Sequence, residues 1–302
     1  MPPKTMKLRL LFTLLPLLAL GQKTENIRLF YLGGQSNMDG FGYTKDLPDS
    51  LKTGYENVYI FHGNPAPDEA LDGGHGFWEP LKPGHGRGFA SNGKQNTLGD
   101  RFGVELSMAK RLQALYPGEK IAFIKYSRGG TSLDSTAARH FGSWEPDFRG
   151  KNGLNQYDHF LKTLNQALAD TDIDGNGITD HIIPSGIVWM QGESDAANEE
   201  VARKYEVHLK RLMDLIRAAL RQDDIPVVIG KISDSWNNTE GKVWKYGELV
   251  QHAQEAFVRS DERAAIVRST RYYAYSDPWH YDSAGYIDLG QQFAEALYKL
   301  LE

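Results

Sequence analysis

The chain has 302 residues, no cysteine and a formal net charge of −5. Without cysteine there is no disulfide scaffold, no thiol catalysis and no cysteine-linked lipid anchor. The modest negative charge leaves no basic footprint for nucleic acid and no polybasic patch for anionic lipid, so a neutral polar partner fits better. With 40% hydrophobic residues, a chain this long can hold its core by packing alone.

Residues 1–21 read as a secretory leader. Lys4, Lys7 and Arg9 precede the apolar run Leu10 to Leu20, and Ala19 and Gly21 are the small residues before a cut that leaves Gln22 first. The run is shorter than the ~20 residues a membrane span needs. The mature chain is then secreted or periplasmic, a single domain over 22–302 with no membrane insertion.

Apolar runs alternate with helical patterns from there on. Strands are expected at "NIRLFYL" (26–32), "NVYIF" (57–61), "KIAFIKYS" (120–127), "PSGIVWMQ" (184–191), "IPVVIGKI" (225–232) and "RAAIVRS" (263–269). Helices are expected between them. One has Phe102, Leu106, Ala109 and Leu112 on one face; a longer one carries Val201, Tyr205, Leu209, Leu212 and Ile216. The alternation implies an α/β fold with a mostly parallel sheet covered on both faces. Residues 62–96 break the pattern. Rich in Gly, His, Pro and Asn, they read as a loop over the carboxyl edge of the sheet. His75 and His85 in this loop are candidates to line a sugar cleft, though no paired spacing points to zinc.

Four polar motifs each follow a strand. "GGQSNM" places Ser36 where open α/β sheets keep their ligands, either as a turn residue or as a nucleophile. "SRGGTS" offers approachable backbone N–H groups around Gly130. "QGESD" puts the Gln191 amide at a strand end, where it can cap backbone groups or donate to an oxyanion. "DPWH" places Asp277 three residues before His280, so that the carboxylate can fold back on the imidazole. Each motif is ambiguous alone. Together, on one edge of one sheet, they are the parts of an acyl-transfer site.

In this order and wording the motifs "GQSNM", "GGTS", "QGESD" and "DPWH" resemble the SGNH hydrolase superfamily. Within it they are similar to the sialate O-acetylesterase-like branch and the acetyl xylan esterases of carbohydrate esterase family six. The resemblance runs from Ile27 to the last helix. It implies a three-layer α/β/α sandwich around a central, mostly parallel five-stranded sheet of flavodoxin-like type. It makes Ser36 the nucleophile, His280 the base and Asp277 its orienter, with the Ser36 N–H, Gly130 and Gln191 as oxyanion donors. Gln191 stands where the superfamily usually has Asn. The implied activity is removal of O-acetyl groups from xylan or related carbohydrates, with acetylated sialic acid as a rival; Arg87, Arg101 and Arg128 are available to meet an anionic sugar. No catalytic cofactor is implied. Glu193 reads as a buried anchor of its loop, and Asp195 as the start of the next helix.

One acidic stretch, "DTDIDGNGITD" (170–180), stands outside this scheme. Asp172, Asp174, Asn176 and Asp180 follow the alternation of a calcium loop, with Gly177 at the sharp turn. Ile183 occupies the twelfth position, where a full loop of this kind has Glu. A structural Ca2+ is the expected occupant, and a plain acidic turn the alternative.

Overall fold

The computed structural model describes residues 1, 24–239 and 241–302. The expected leader, Met1 apart, lies outside them. Among the described residues, no helix is long and apolar enough to cross a membrane.

The main sheet has strands β1 (Thr24–Gly34), β2 (Val58–His62), β3 (Trp78–Pro80), β4 (Lys120–Ser127), β5 (Thr179–Met190), β6 (Val227–Gly230) and β7 (Ala264–Val267). They lie in the order β7-β6-β5-β1-β4-β2-β3. All neighbours pair in parallel except β2 and β3, which are antiparallel. The sheet therefore has seven strands rather than five. Six come from the alternation of apolar runs with helices. The seventh is a three-residue edge strand inside the irregular segment 62–96, too short to show a period of two and ending on Pro80, a residue that sheets confine to their edges.

The helices are α1 (Ser36–Asp39, a single turn), α2 (Glu105–Leu115), α3 (Gln156–Ala169), α4 (Glu199–Ala219), α5 (Gly247–Ser260) and α6 (Ser283–Leu301). They flank the sheet, α2 packing with α6 and α4 with α5. Local chemistry sets their starts: Asn155 and Asp158 form a reciprocal capping box on α3, and the Asn198 side chain accepts from the N–H of Glu200 and Val201 at the head of α4. Val201, Tyr205, Leu209, Leu212 and Ile216 of α4 are all buried, as their spacing requires. Burial of each such side chain contributes about 1.5–3 kcal/mol.

β1 is the central strand, paired with β4 along one side and β5 along the other. Its run from Phe30 to Gly34 is buried. Such a strand gives the residue that follows it a fixed position, and that residue begins the candidate site.

Candidate active site

Ser36 opens the one-turn helix α1 at the carboxyl end of β1. The glycines before it have a packing reason. Gly34 has φ +144, and a Cβ there would fall 2.0 Å from the Met190 carbonyl oxygen, so only glycine lets β1 end this close to β5. The turn then closes through Met38 N and Asp39 N, both 2.8 Å from the Gln35 carbonyl oxygen. As the first helical residue, Ser36 has a backbone N–H with no intrahelical acceptor. The Gln35 side chain does not cap it either. Instead, Gln35 Oε1 accepts from the N–H of Gly192 and of Ser194, each at 3.3 Å.

The neighbouring side chain, Asn37, ties three segments together. Its Nδ2 donates to Glu193 Oε1 at 2.7 Å and to the Trp279 carbonyl at 3.2 Å. Its Oδ1 accepts from the Tyr286 hydroxyl at 2.7 Å and the Tyr281 N–H at 3.4 Å. Asn37 thus grips the residues on either side of His280. The His280 ring also stacks on Phe41, centroids 3.5 Å apart and planes 5° from parallel. Ser36 and His280 are held on one edge of the sheet by these bonds. The motifs "GQSN" and "QGES" interlock, with Gln35 bracing the loop backbone and Asn37 meeting Glu193.

Asp277 Oδ2 lies 2.7 Å from His280 Nδ1, while its Oδ1 accepts from the Trp279 N–H at 2.8 Å and the His280 N–H at 2.9 Å. An ionised Asp277 fixes the proton on Nδ1 and leaves Nε2 as the basic nitrogen. Burial alone would push the Asp277 carboxyl up, but the bonds from His280 and the Trp279 N–H outweigh it and hold it below the usual carboxylate range. Burial drives the His280 imidazole down, against the opposing pull of Asp277, so it sits below its ordinary value and is neutral at pH 7.

The expected oxyanion loop lies against Ser36: a Cβ on Gly129 would be 3.2 Å from Ser36 Cβ. Gly130 has φ +79, and a Cβ there would collide with the Phe141 ring at 2.4 Å. Only glycine builds this turn beside the serine.

Gln191 is a different matter. It is fully buried, and its Nε2 donates to Asp195 Oδ2 at 2.6 Å, to the Thr131 carbonyl at 3.2 Å and to Gln35 Oε1 at 3.3 Å. Its Oε1 accepts from the Tyr205 hydroxyl at 2.9 Å. An amide has two N–H groups, and three protein acceptors already share them. In this structure the Gln191 amide, expected as an oxyanion donor, spends its N–H groups on these framework acceptors.

Asp195 is likewise more than a helix start. It begins a short 3-10 turn, fully buried, and accepts from the Leu133 N–H at 3.0 and 3.1 Å as well as from Gln191. Burial pushes its carboxyl up to about 7, against these donors. Asp195 pins the end of the glycine loop to the strand that carries Gln191. Glu193 is 1% exposed and anchors its loop to Asn37. Burial raises its carboxyl, the Asn37 bond opposing.

Lys125 on β4 is fully buried. Its Nζ donates to the carbonyl of Asp39 at 2.9 Å and of His85 at 2.8 Å, and pairs with Glu105 Oε2 at 2.9 Å. It fixes the far end of the α1 turn. His85 is also fully buried, 3.3 Å from His62 Nδ1 through its own Nδ1, and both rings are driven well below their ordinary value by burial and by Lys125. His85 is core and does not line a cleft. Of the arginines, Arg101 lies over the Tyr43 ring and donates to the Phe41 carbonyl at 2.6 Å, and Arg128 donates to the Phe141 carbonyl at 2.9 Å. Arg87 and Arg128 both act electrostatically on Asp39 in the Ser36 turn.

A family model for the carbohydrate esterases described as sialic acid-specific acetylesterases matches residues 26–299. A search of curated proteins returned no match. Among solved structures, a protein of Arabidopsis thaliana is similar at 19% identity and a TM-score of 0.63, covering 91% of this chain and 99% of its own. A carbohydrate acetylesterase from Xanthomonas citri is similar at 17% identity and a TM-score of 0.59; the alignment covers 91% of this chain and 56% of that one. NanS is similar at 16% identity and a TM-score of 0.59, covering 91% of this chain and 98% of its own. These likenesses agree with the fold, and the family match spans nearly all of the described chain. The chain belongs to the sialic acid-specific acetylesterase family of carbohydrate esterases.

Proposed function

We propose that the protein is an exported serine esterase that removes O-acetyl groups from carbohydrates through an acetyl-enzyme. The observation that carries this reading is the Asp277–His280 pair at 2.7 Å, held by Asn37 to the turn that presents Ser36. Ser36 Oγ attacks the acetyl carbonyl while His280 Nε2 takes its proton. The tetrahedral oxyanion is met by the Ser36 N–H and the Gly130 N–H. As the carbonyl re-forms, the sugar oxygen leaves with the proton from His280, and the acetyl group remains on Ser36. Water, deprotonated by His280, then releases acetate and restores the serine. Asp277 keeps the ring in the right tautomer throughout. None of these steps routes through a metal ion.

The substrate class is an acetylated polysaccharide or oligosaccharide of the acetyl xylan kind. A second reading, an acetylated sialic acid, has Arg87 and Arg128, which both act on Asp39, in its favour, since a sugar carboxylate would meet positive charge there. Acetate release measured on acetylated xylan, acetylated xylo-oligosaccharides and acetylated sialic acid separates the two. Ser36→Ala should abolish release while leaving the circular dichroism spectrum unchanged. Rapid turnover by the folded variant overturns the mechanism. Sugar binding by the natural protein with no acetate release makes it a silent binding module instead.

A further inference from the structure

The acidic loop lies at the opposite edge of the sheet from Ser36. It precedes β5, and Glu25 at the start of β1 is the register partner of Asp180 at the start of β5. β1 runs 11 residues from there to the nucleophile turn, roughly 35 Å of strand. The mechanism uses nothing at this edge.

Oxygens of Asp172, Asp174 and Asp180 lie within 4.8 Å of one another. The loop holds them there with its own backbone. Asn176 N–H and Gly177 N–H donate to the two Asp172 oxygens at 3.0 and 2.9 Å, and Ile173 N–H donates to Asp180 Oδ2 at 2.6 Å. Asp180 is 7% exposed, and its other oxygen, Oδ1, is buried without a hydrogen-bond partner. A carboxylate oxygen in that state costs energy unless a cation meets it. The fourth carboxylate comes from outside the loop: Glu25 Oε2 accepts from Asn176 Nδ2 at 3.1 Å. Against these four acidic groups stands Lys120, whose ammonium pairs with both Glu25 and Asp174.

We propose that Asp172, Asp174, Asn176 and Asp180 bind a calcium ion, with Glu25 of the adjacent strand supplying the carboxylate that the loop lacks at Ile183. Oxygen ligands alone, carboxylates among them, and a glycine turn suit Ca2+, whose flexible shell accepts an uneven set, better than Mg2+, which demands a near-ideal octahedron. The ion joins the starts of β1 and β5, so it acts on stability. Lys120 is a partial substitute that competes with the ion for Asp174.

The test is titration of the chelator-stripped, dialysed full chain with calcium chloride, followed by calorimetry and thermal unfolding. One ion should bind per chain, and at a hundredfold excess over Kd the Tm should rise by about 5 °C or more. Magnesium at the same concentration should shift it less. Asp180→Asn should lose most of the calcium-dependent rise; if that variant does not fold, Glu25→Gln should weaken binding about tenfold or more. Lys120→Met should bind calcium more tightly. Hydrolysis of a soluble ester well below the Tm should be the same with and without chelator. Superimposable melting curves with no heat of binding overturn the site. So does an equal response to magnesium, or a Lys120→Met protein that binds no calcium.

Discussion

Asn37 donates its amide to Glu193 at 2.7 Å across 156 residues of chain, while its carbonyl accepts from Tyr286 at the same distance on the far side. This side chain makes no bond to the expected reacting atoms. It sets the spacing between the serine turn and the histidine loop. Asn37→Ala should lower kcat about a hundredfold, since a displacement of about 1 Å in a reacting pair costs that much, with KM little changed. Steady-state kinetics on a soluble acetyl ester, beside circular dichroism, measures it. A folded Asn37→Ala protein of natural kcat would show that the loops hold their spacing without it.

The pH profile follows from His280. A base must be neutral, and this imidazole sits below its ordinary 6.5 because burial outweighs the pull of Asp277. Activity is therefore present above the lowered value and is lost as pH falls through it, so the acid limb of kcat/KM should have its midpoint below 6.5. Asp277→Asn removes the group that raises the histidine. It should move the limb further into acid and lower kcat by about 10^3–10^4-fold, mainly by releasing the tautomer. A limb at or above 6.5 in the natural protein would put the base elsewhere.

Much of this was legible in the sequence, for physical reasons. Buried parallel strands are continuous apolar runs, and the helix faces repeat at three and four residues; Leu209 and Leu212 are buried where that spacing puts them. That Ser36, Gly130 and His280 share one edge could be read because each follows a strand, and parallel topology gathers strand ends there. What stayed hidden is the polar framework. Lys125 lies inside an apolar strand, and nothing in the spacing tells that its partners are Glu105 and two carbonyls. Gln191 is of the right type for an oxyanion donor, but its partner Asp195 is revealed only when the loop folds. The edge strand Trp78–Pro80 was too short to carry a pattern.

The Lys125–Glu105 pair should be strongly coupled. Both side chains are fully buried at 2.9 Å, so removing one leaves an uncompensated charge in the core. Lys125→Ala or Glu105→Ala should each cost about 3–5 kcal/mol, while an apolar pair such as Lys125→Met with Glu105→Leu should recover much of it. The recovered protein should still be slow, because the Asp39 carbonyl has lost its donor and the serine turn is no longer tied down. Urea unfolding and kinetics on the same samples decide this. Full activity in the double variant would make the pair a matter of stability alone.

Two roles are open to Gln191, and substitution tells them apart. An oxyanion donor acts in the transition state, so its loss lowers kcat by about 10^2–10^3-fold and leaves stability alone. A framework amide does the reverse in order of cause. Gln191→Ala strips a donor from buried Asp195 and Gln35 and an acceptor from the Tyr205 hydroxyl. Asp195 keeps the Leu133 N–H, Gln35 the N–H groups of Gly192 and Ser194, and Tyr205 the Gln191 carbonyl, so the loss is that of buried hydrogen bonds at about 0.5–1.5 kcal/mol each, and the variant should unfold at clearly lower urea. Asp195 adds a pH signature. Its folded-state value of about 7 lies above the unfolded 3.8, so the contribution of its protonated form is full below 3.8 and is lost as pH rises through 7. Without the Gln191 donor the carboxyl should rise further, and the loss of stability should continue to higher pH than in the natural protein. Urea midpoints at several pH values for both proteins give the comparison. A Gln191→Ala protein with unchanged midpoints and a kcat a hundredfold lower would return the amide to the oxyanion hole.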